Sequence, residues 1–382
     1  MSPATSTSVL IAGGGTAGHV LPAVAVARAL VDRGVEQDRI AFVGAARGIE
    51  SRLVPEAGFD VTLLPGRGIQ RRLTWANVGA VVGLIRAVGT AVVLVRRRRP
   101  QVVLAVGGFA SAAGSLAALL WRVPLVVAEQ NARAGAANRL AARWARVCAV
   151  AFPGTDLPRS VVTGNPVRGE ILDVAADRDP VAARVRLGVP ADRTLVIAFA
   201  GSLGARSVNE AVWGAVERWS ERSDLAVYHV VGRRDADARP ATAHRAEQRT
   251  VDGGGGLWYR SVAYEDHMEV VLEAADVALC RAGGTTVAEL TVVGVPAVLV
   301  PLPIATRDHQ RANAAELVEA GAAELVDDAD LDADVVVRLI DGWIADGSLR
   351  RRAAAARALG RPDAADAVAE LVLEVAAGGG RG

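Results

Sequence analysis

A chain of 382 residues, 51% of them hydrophobic and with a formal net charge of +1, has apolar mass for two cores of ordinary size and no bulk charge suited to nucleic acid. All 43 basic residues are arginine, which excludes enzymes that work through a P-loop, Schiff-base or pyridoxal-linked lysine. Cys148 and Cys280 lie far apart in apolar stretches without metal-ligand spacing, as buried thiols of a reducing compartment do, and no basic leader reads as a secretion signal.

In chain order, residues 8–12 read as a strand, Gly13 to His19 as a glycine-rich turn, and residues 22–30 as a helix stopped near Gly34. A dinucleotide-binding domain also opens this way, but its second strand ends on a carboxylate for the adenine ribose. Here residues 39–44 run into Ala45-Ala46-Arg47, which disfavours a dehydrogenase.

Residues 73–95 are almost wholly apolar, follow Arg67, Arg71 and Arg72, and precede four arginines at 96–99. The length suits a membrane span. However, residues 60–64 and 102–106 read as strands of one parallel sheet, which a span would separate, and Arg86 in the middle would cost ~3 kcal/mol. The run is therefore expected to be a helix lying on the domain. It is either a core crossover with solvated ends or a peripheral docking site for anionic inner-leaflet lipids at Arg71, Arg72 and Trp75. No aromatic residues are interleaved with these arginines as nucleic-acid binding would need.

Val106-Gly107-Gly108-Phe109-Ala110-Ser111 repeats the strand-to-glycine turn, and Glu129-Gln130-Asn131 closes a strand over 125–128. The second half resembles the first. Residues 195–199 lead into Gly201-Ser202-Leu203-Gly204-Ala205-Arg206 and a helix opening Ser207-x-x-Glu210; residues 275–280 lead into Ala282-Gly283-Gly284, a helix starting near Thr286, and a strand from Ala297. The expected architecture is α/β, two tandem Rossmann-like doubly wound parallel-sheet domains over 1–165 and 166–348. A helix over 349–377 is expected to pack back on the first domain, with ligand in the cleft at the carboxyl ends of the strands. Glycine turns opening helices suit a diphosphate. Glu289, about one turn into its helix, either accepts hydrogen bonds from a ribose diol or closes a capping box with Thr286; Ser207 and Glu210 form a second such pattern.

Gly14-Gly15-Thr16-Ala17-Gly18-His19, Gly107-Gly108-Phe109, Glu129-Gln130-Asn131, Gly164-Asn165-Pro166-Val167-Arg168, the 201–206 loop and Arg281 to Glu289 together, in this order, resemble the MurG family. The resemblance implies a GT-B fold and inverting transfer of N-acetylglucosamine from UDP-N-acetylglucosamine to the 4-hydroxyl of the muramoyl sugar of lipid I. The product would be lipid II for peptidoglycan, made at the cytoplasmic face of the bacterial plasma membrane by a peripheral enzyme without metal or other cofactor. It places Glu289 with Thr286 at the ribose, Ser202 and Gly204 at the diphosphate, Arg168 near the nucleotide, backbone near Glu265 at the uracil, and His309 and Gln310 at the donor sugar. Thr16, Ala17 and Gly18 are also assigned to the donor; His19, Gly107, Gly108, Ser111 and Asn131 fall on the acceptor side. Phe109 stands where a tyrosine is frequent, Ala112-Ala113 replace Gly-Pro, Ala128 replaces a histidine and His309 a glutamine. His19 suits a general base near neutral pH, or it orients the acceptor pyrophosphate. Two other functions share the fold: a UDP-N-acetylglucosamine 2-epimerase, and a non-catalytic sugar-nucleotide-binding protein.

Overall fold

The computed structural model describes residues 7–46, 48–65, 76–251, 253 and 255–378. The chain forms two compact units, Met1–Arg168 with Arg361–Gly382, and Gly169–Gly360. Arg71, Arg72 and Trp75 lie outside the described residues.

In the first unit the strands are β1 (Val9–Gly13), β2 (Ile40–Ala45), β3 (Asp60–Leu64), β4 (Val102–Gly107), β5 (Leu125–Glu129), β6 (Val147–Val150) and β7 (Ser160–Val162). They form a parallel sheet in the order β3-β2-β1-β4-β5-β6-β7. Its helices are α1 (Ala17–Asp32), α2 (Glu50–Glu56), α3 (Ala76–Arg98), α4 (Gly108–Leu120) and α5 (Ala136–Ala141). Near-continuous apolar strands are what a sheet covered on both faces requires. Val9 and Ile11 enter one core and Leu10 and Ala12 the opposite one. Each such fully buried Val, Leu or Ile contributes ~1.5–3 kcal/mol.

In the second unit the helices are α6 (Gly169–Ala176), α7 (Pro180–Leu187), α8 (Arg206–Arg218), α9 (Ala241–Val251), α10 (Met268–Ala274), α11 (Gly284–Val293), α12 (His309–Glu319), α13 (Ala333–Ala345) and α14 (Leu349–Ala358). The strands are β8 (Thr194–Phe199), β9 (Leu225–Val230), β10 (Trp258–Val262), β11 (Val277–Cys280), β12 (Ala297–Leu299) and β13 (Ala323–Leu325), parallel in the order β10-β9-β8-β11-β12-β13. This repeats the strand order at the centre of the first sheet. In both sheets the order reverses between two central strands, β1 beside β4 and β8 beside β11. That switch point is where doubly wound folds bind ligands.

The tail is two helices rather than one. α14 belongs to the second unit, and α15 (Ala364–Gly378) returns to the first, where Val368, Ala369 and Val372 join its core. Gly360 and Pro362 separate them, a helix stop that the sequence itself carries. Helix α1 starts a turn earlier than the sequence suggests: Thr16 is extended and its carbonyl accepts from the amides of His19 and Val20, leaving Pro22 inside the helix. Among the described residues no helix is long and apolar enough to cross a membrane.

Candidate active site

In the first unit, the loops after β1 and β4 touch backbone to backbone. The Gly14 amide donates to the Gly107 carbonyl (3.2 Å). At Gly108, where φ is +84°, a Cβ would stand 2.4 Å from the Gly14 oxygen, so only glycine fits this crossing. His19, in the first turn of α1, lays its ring over the second loop, since a Cβ on Gly107 would meet its Nε2 at 2.8 Å. Its Nδ1 lies 3.0 Å from the Thr16 hydroxyl. This contact ties tautomer to role. If Nδ1–H donates to Thr16, Nε2 keeps the lone pair that a base needs.

Two buried carboxylates that sequence reasoning gave no role brace loops of this unit, Glu129 the one after β5 and Glu50 the one after β1. Glu129 accepts from the Asn131 amide (3.1 Å) and side chain (3.2 Å) through Oε1, and from the Gly135 amide (3.0 Å) and Asn138 Nδ2 (2.9 Å) through Oε2. Asn131 is thus held by its neighbour in the same motif. Glu50 accepts from the amides of Gly15 and Ala45. Ser111, assigned to the acceptor side, is fully buried in α4, so this conformation does not present it to a ligand. Thr16, Ala17 and Gly18 form the cap and first turn of α1 in this same unit. Arg168 is half-buried and ends the unit's first segment, immediately before α6.

In the second unit, the loop after β8 approaches the 231–234 segment so closely that a Cβ on Gly204 would stand 2.0 Å from the Val231 oxygen. A buried chain supports this contact. His229 Nε2 pairs with Asn209 Oδ1 (3.0 Å), and Asn209 Nδ2 donates to the Val231 carbonyl (3.0 Å) and to Asp235 (3.1 Å). Burial pushes the His229 imidazole down to about 3, with the Arg239 charge acting the same way, so the ring is neutral at physiological pH. Ser202 is exposed on this loop, and its carbonyl accepts from the Arg233 amide (3.3 Å).

Neither expected capping box forms. Helix α11 starts at Gly284 behind an extended Gly283, and α8 at Arg206 behind an extended Ala205, both without a side-chain cap. Thr286 is already in the first turn and cannot cap, so Glu289, largely buried at 9% exposure, is not part of a box. Ser207 instead donates to Asp328 (2.6 Å), and Glu210 pairs with Arg206 (3.1 Å).

Arg281 organises this end of the sheet. It pairs with Asp328 (2.6 Å) and donates to the Val300 and Pro301 carbonyls (both 3.2 Å) and to Ser207 (3.3 Å). Gln310 braces the next loop, its Oε1 accepting from the Leu302 amide (2.9 Å), while His309 Nδ1 lies 3.0 Å from the Thr306 carbonyl. Glu265 accepts from the Tyr228 hydroxyl (2.6 Å) and the His267 amide (2.8 Å). Burial first, and the hydrogen bond to Glu265 second, push the Tyr228 phenol above its usual range and keep it a donor. Cys148 and Cys280 are free and buried, with burial the larger cause raising both thiols.

Two doubly wound parallel-sheet units in one chain, each with two glycine loops at its switch point, make a GT-B fold, an architecture that glycosyltransferases share with UDP-GlcNAc 2-epimerases. Residues 9–150 match the glycosyltransferase family 28 N-terminal domain and residues 195–368 its C-terminal domain. The chain is 42% identical over 386 residues to the UDP-N-acetylglucosamine–N-acetylmuramyl-(pentapeptide) pyrophosphoryl-undecaprenol N-acetylglucosamine transferase of Mycobacterium sp. (strain JLS), covering 98% of each chain. Acinetobacter baumannii MurG superposes with a TM-score of 0.75 at 28% identity, over 96% of this chain and 99% of that one. The UDP-GlcNAc 2-epimerase of Neisseria meningitidis, bound to UDP-GlcNAc, gives 0.65 at 13% identity over 96% of this chain and all of its own, a likeness of fold alone. The chain belongs to glycosyltransferase family 28 and, within it, to the MurG family of N-acetylglucosamine transferases.

Proposed function

We infer that the protein transfers N-acetylglucosamine from UDP-N-acetylglucosamine to the 4-hydroxyl of the muramoyl sugar of lipid I, with inversion, giving lipid II for peptidoglycan. The observation that carries this reading is the match along both units to relatives named for that transfer. The second unit takes the donor. Glu289, free of any capping box, accepts hydrogen bonds from the ribose diol beside Thr286, while the Ser202 and Gly204 loop and the uncapped start of α11 receive the diphosphate. Arg168 adds positive charge, backbone near Glu265 meets the uracil, and His309 and Gln310 meet the sugar; Thr16, Ala17 and Gly18 also belong to the donor set. These groups, rather than a metal, take up the charge that develops on the leaving UDP.

In the first unit His19 accepts the proton of the acceptor hydroxyl at Nε2 while Nδ1–H donates to Thr16, and Gly107, Gly108 and Asn131 shape the acceptor's seat. The enzyme works as a peripheral protein at the cytoplasmic face of the plasma membrane, with Arg71, Arg72 and Trp75 against anionic lipids. Support comes from α3 and the end of α4: Ile85, Leu120 and Trp121 are exposed, and Arg96 lies over the Trp121 ring at 5.7 Å.

The test is labelled UDP-N-acetylglucosamine with a soluble lipid I analogue, run in chelator. A disaccharide product with release of UDP is expected. Turnover only when Mg2+ is restored would remove the metal-free route, and an epimerised sugar formed without acceptor would replace the transferase reading.

A further inference from the structure

Glu50 opens the short helix α2, where an acidic side chain ordinarily faces solvent and favours the helix dipole. Here it is 1% exposed. Its Oε2 accepts from the Gly15 amide at 2.8 Å, 35 residues away, and its Oε1 from the Ala45 amide at 2.6 Å. Three glycines clear the space it fills: a Cβ would stand 2.3 Å from Oε1 at Gly14, 2.2 Å from Cγ at Gly44, and 2.0 Å from Oε2 at Gly48. A buried carboxylate is tolerated only when its oxygens are hydrogen-bonded, and both are satisfied here by main chain.

In a dinucleotide-binding loop the amides after the first strand receive a phosphate. We propose that Glu50 is the internal anion of the β1–α1 loop: a positioning residue that takes the amide place of a phosphate and thereby fixes Thr16 and His19 for the acceptor hydroxyl. The carboxylate ties the end of β2, through Ala45, to the turn that carries Thr16 as the cap of α1 and His19 in its first turn. The inference rests on the transferase reading above.

Glu50→Gln keeps the side chain's shape but turns an NH2 toward one of the two amide donors, so one of the two bonds is lost. In the full chain, with UDP-N-acetylglucosamine and a soluble lipid I analogue, kcat should fall about a hundredfold, as misplaced catalytic groups do. The acceptor KM and the UDP dissociation constant should stay within about threefold of the parent's, because the variant leaves the donor unit untouched. Amide hydrogen exchange should quicken about tenfold in peptides covering residues 13–19 and 44–49 and remain unchanged in the second unit. Gly48→Ala, which keeps the charge but displaces the carboxylate, should give the same pattern, and it decides the matter should Glu50→Gln not fold. A kcat near the parent's, UDP affinity falling in step with kcat, or unchanged exchange over residues 13–19 would each overturn the proposal. Exchange does not depend on turnover, so a parent without transferase activity would defeat the proposed function while the exchange arm still decides the role of Glu50.

Discussion

Replacing Glu289 with glutamine tests the proposed ribose contact apart from a capping role, because helix α11 offers that carboxylate no capping box to close. Helix α11 begins at Gly284 and has no side-chain cap, so the substitution breaks no capping box. On the proposed reading it removes negative charge facing the ribose diol. A hydrogen bond to a charged acceptor is worth ~1.5–3 kcal/mol against about 1 for a neutral one. Glutamine retains one acceptor oxygen, so the loss is about 2 kcal/mol, or roughly thirtyfold in the dissociation constant for UDP. A stability change below ~0.5 kcal/mol corresponds to about 1–2 °C in a domain of this size. Calorimetric titration with UDP and a thermal melt of the same preparations measure both quantities. Unchanged UDP affinity, or a melting point lowered by many degrees, would show that Glu289 serves the helix and not the nucleotide.

His19→Ala should reduce turnover about a hundredfold while leaving UDP affinity unchanged, and a variant that keeps most of its turnover would refute His19 as the base. The neutral, buried His229 predicts acid sensitivity. Its pKa falls from the ordinary 6.5 to about 3 on folding, so between those values the unfolded chain binds a proton that the folded one does not. Stability is therefore complete above 6.5 and declines with falling pH toward 3, by up to ~1.4 kcal/mol per unit from this group. His229→Gln should flatten that slope in denaturant titrations, and equal slopes in parent and variant would refute the assignment. Changing Arg71, Arg72 and Trp75 together to small neutral residues should weaken cosedimentation with anionic vesicles and activity on membrane-embedded lipid I while sparing a soluble acceptor. Equal loss with both acceptors would place these residues in the site or the core.

The strands and glycine turns were legible because a parallel sheet buried on both faces leaves short apolar runs, and the turns after β1, β4 and β8 need residues without a Cβ. Helix starts were less legible. Thr286 and Glu289 have the spacing of a capping box, but the extended Gly283 starts α11 earlier, and backbone conformation outweighs the side-chain pattern. The long-range braces left no local signal. Glu50 meets Gly15 across 35 residues, and Arg281 donates to Ser207 across 74, separations that only the topology closes. The break between α14 and α15, by contrast, was marked by Gly360 and Pro362.

Gly14-Gly15-Thr16 and Gly283-Gly284-Thr285 are the same tripeptide, the first after β1 and the second after β11, the counterpart of β4 in the second sheet, and their surroundings differ in charge. Neither α1 nor α11 carries an acidic residue in its first turn, so each helix presents its positive end undiminished by its own sequence. In the first unit α2 delivers a carboxylate to the Gly15 amide. In the second unit α11 begins without a side-chain cap, and the buried Thr285 hydroxyl has no hydrogen-bond partner among the described residues. An amide already holding a carboxylate disfavours a phosphate at that amide, although α1 and α11 both start without a side-chain cap. The glycine pattern thus specifies a loop that can hold an anion, and the distant carboxylate decides whether that anion comes from the chain or from the substrate. This agrees with the proposed function, in which the second unit takes the nucleotide diphosphate and His19 in the first unit meets the acceptor hydroxyl.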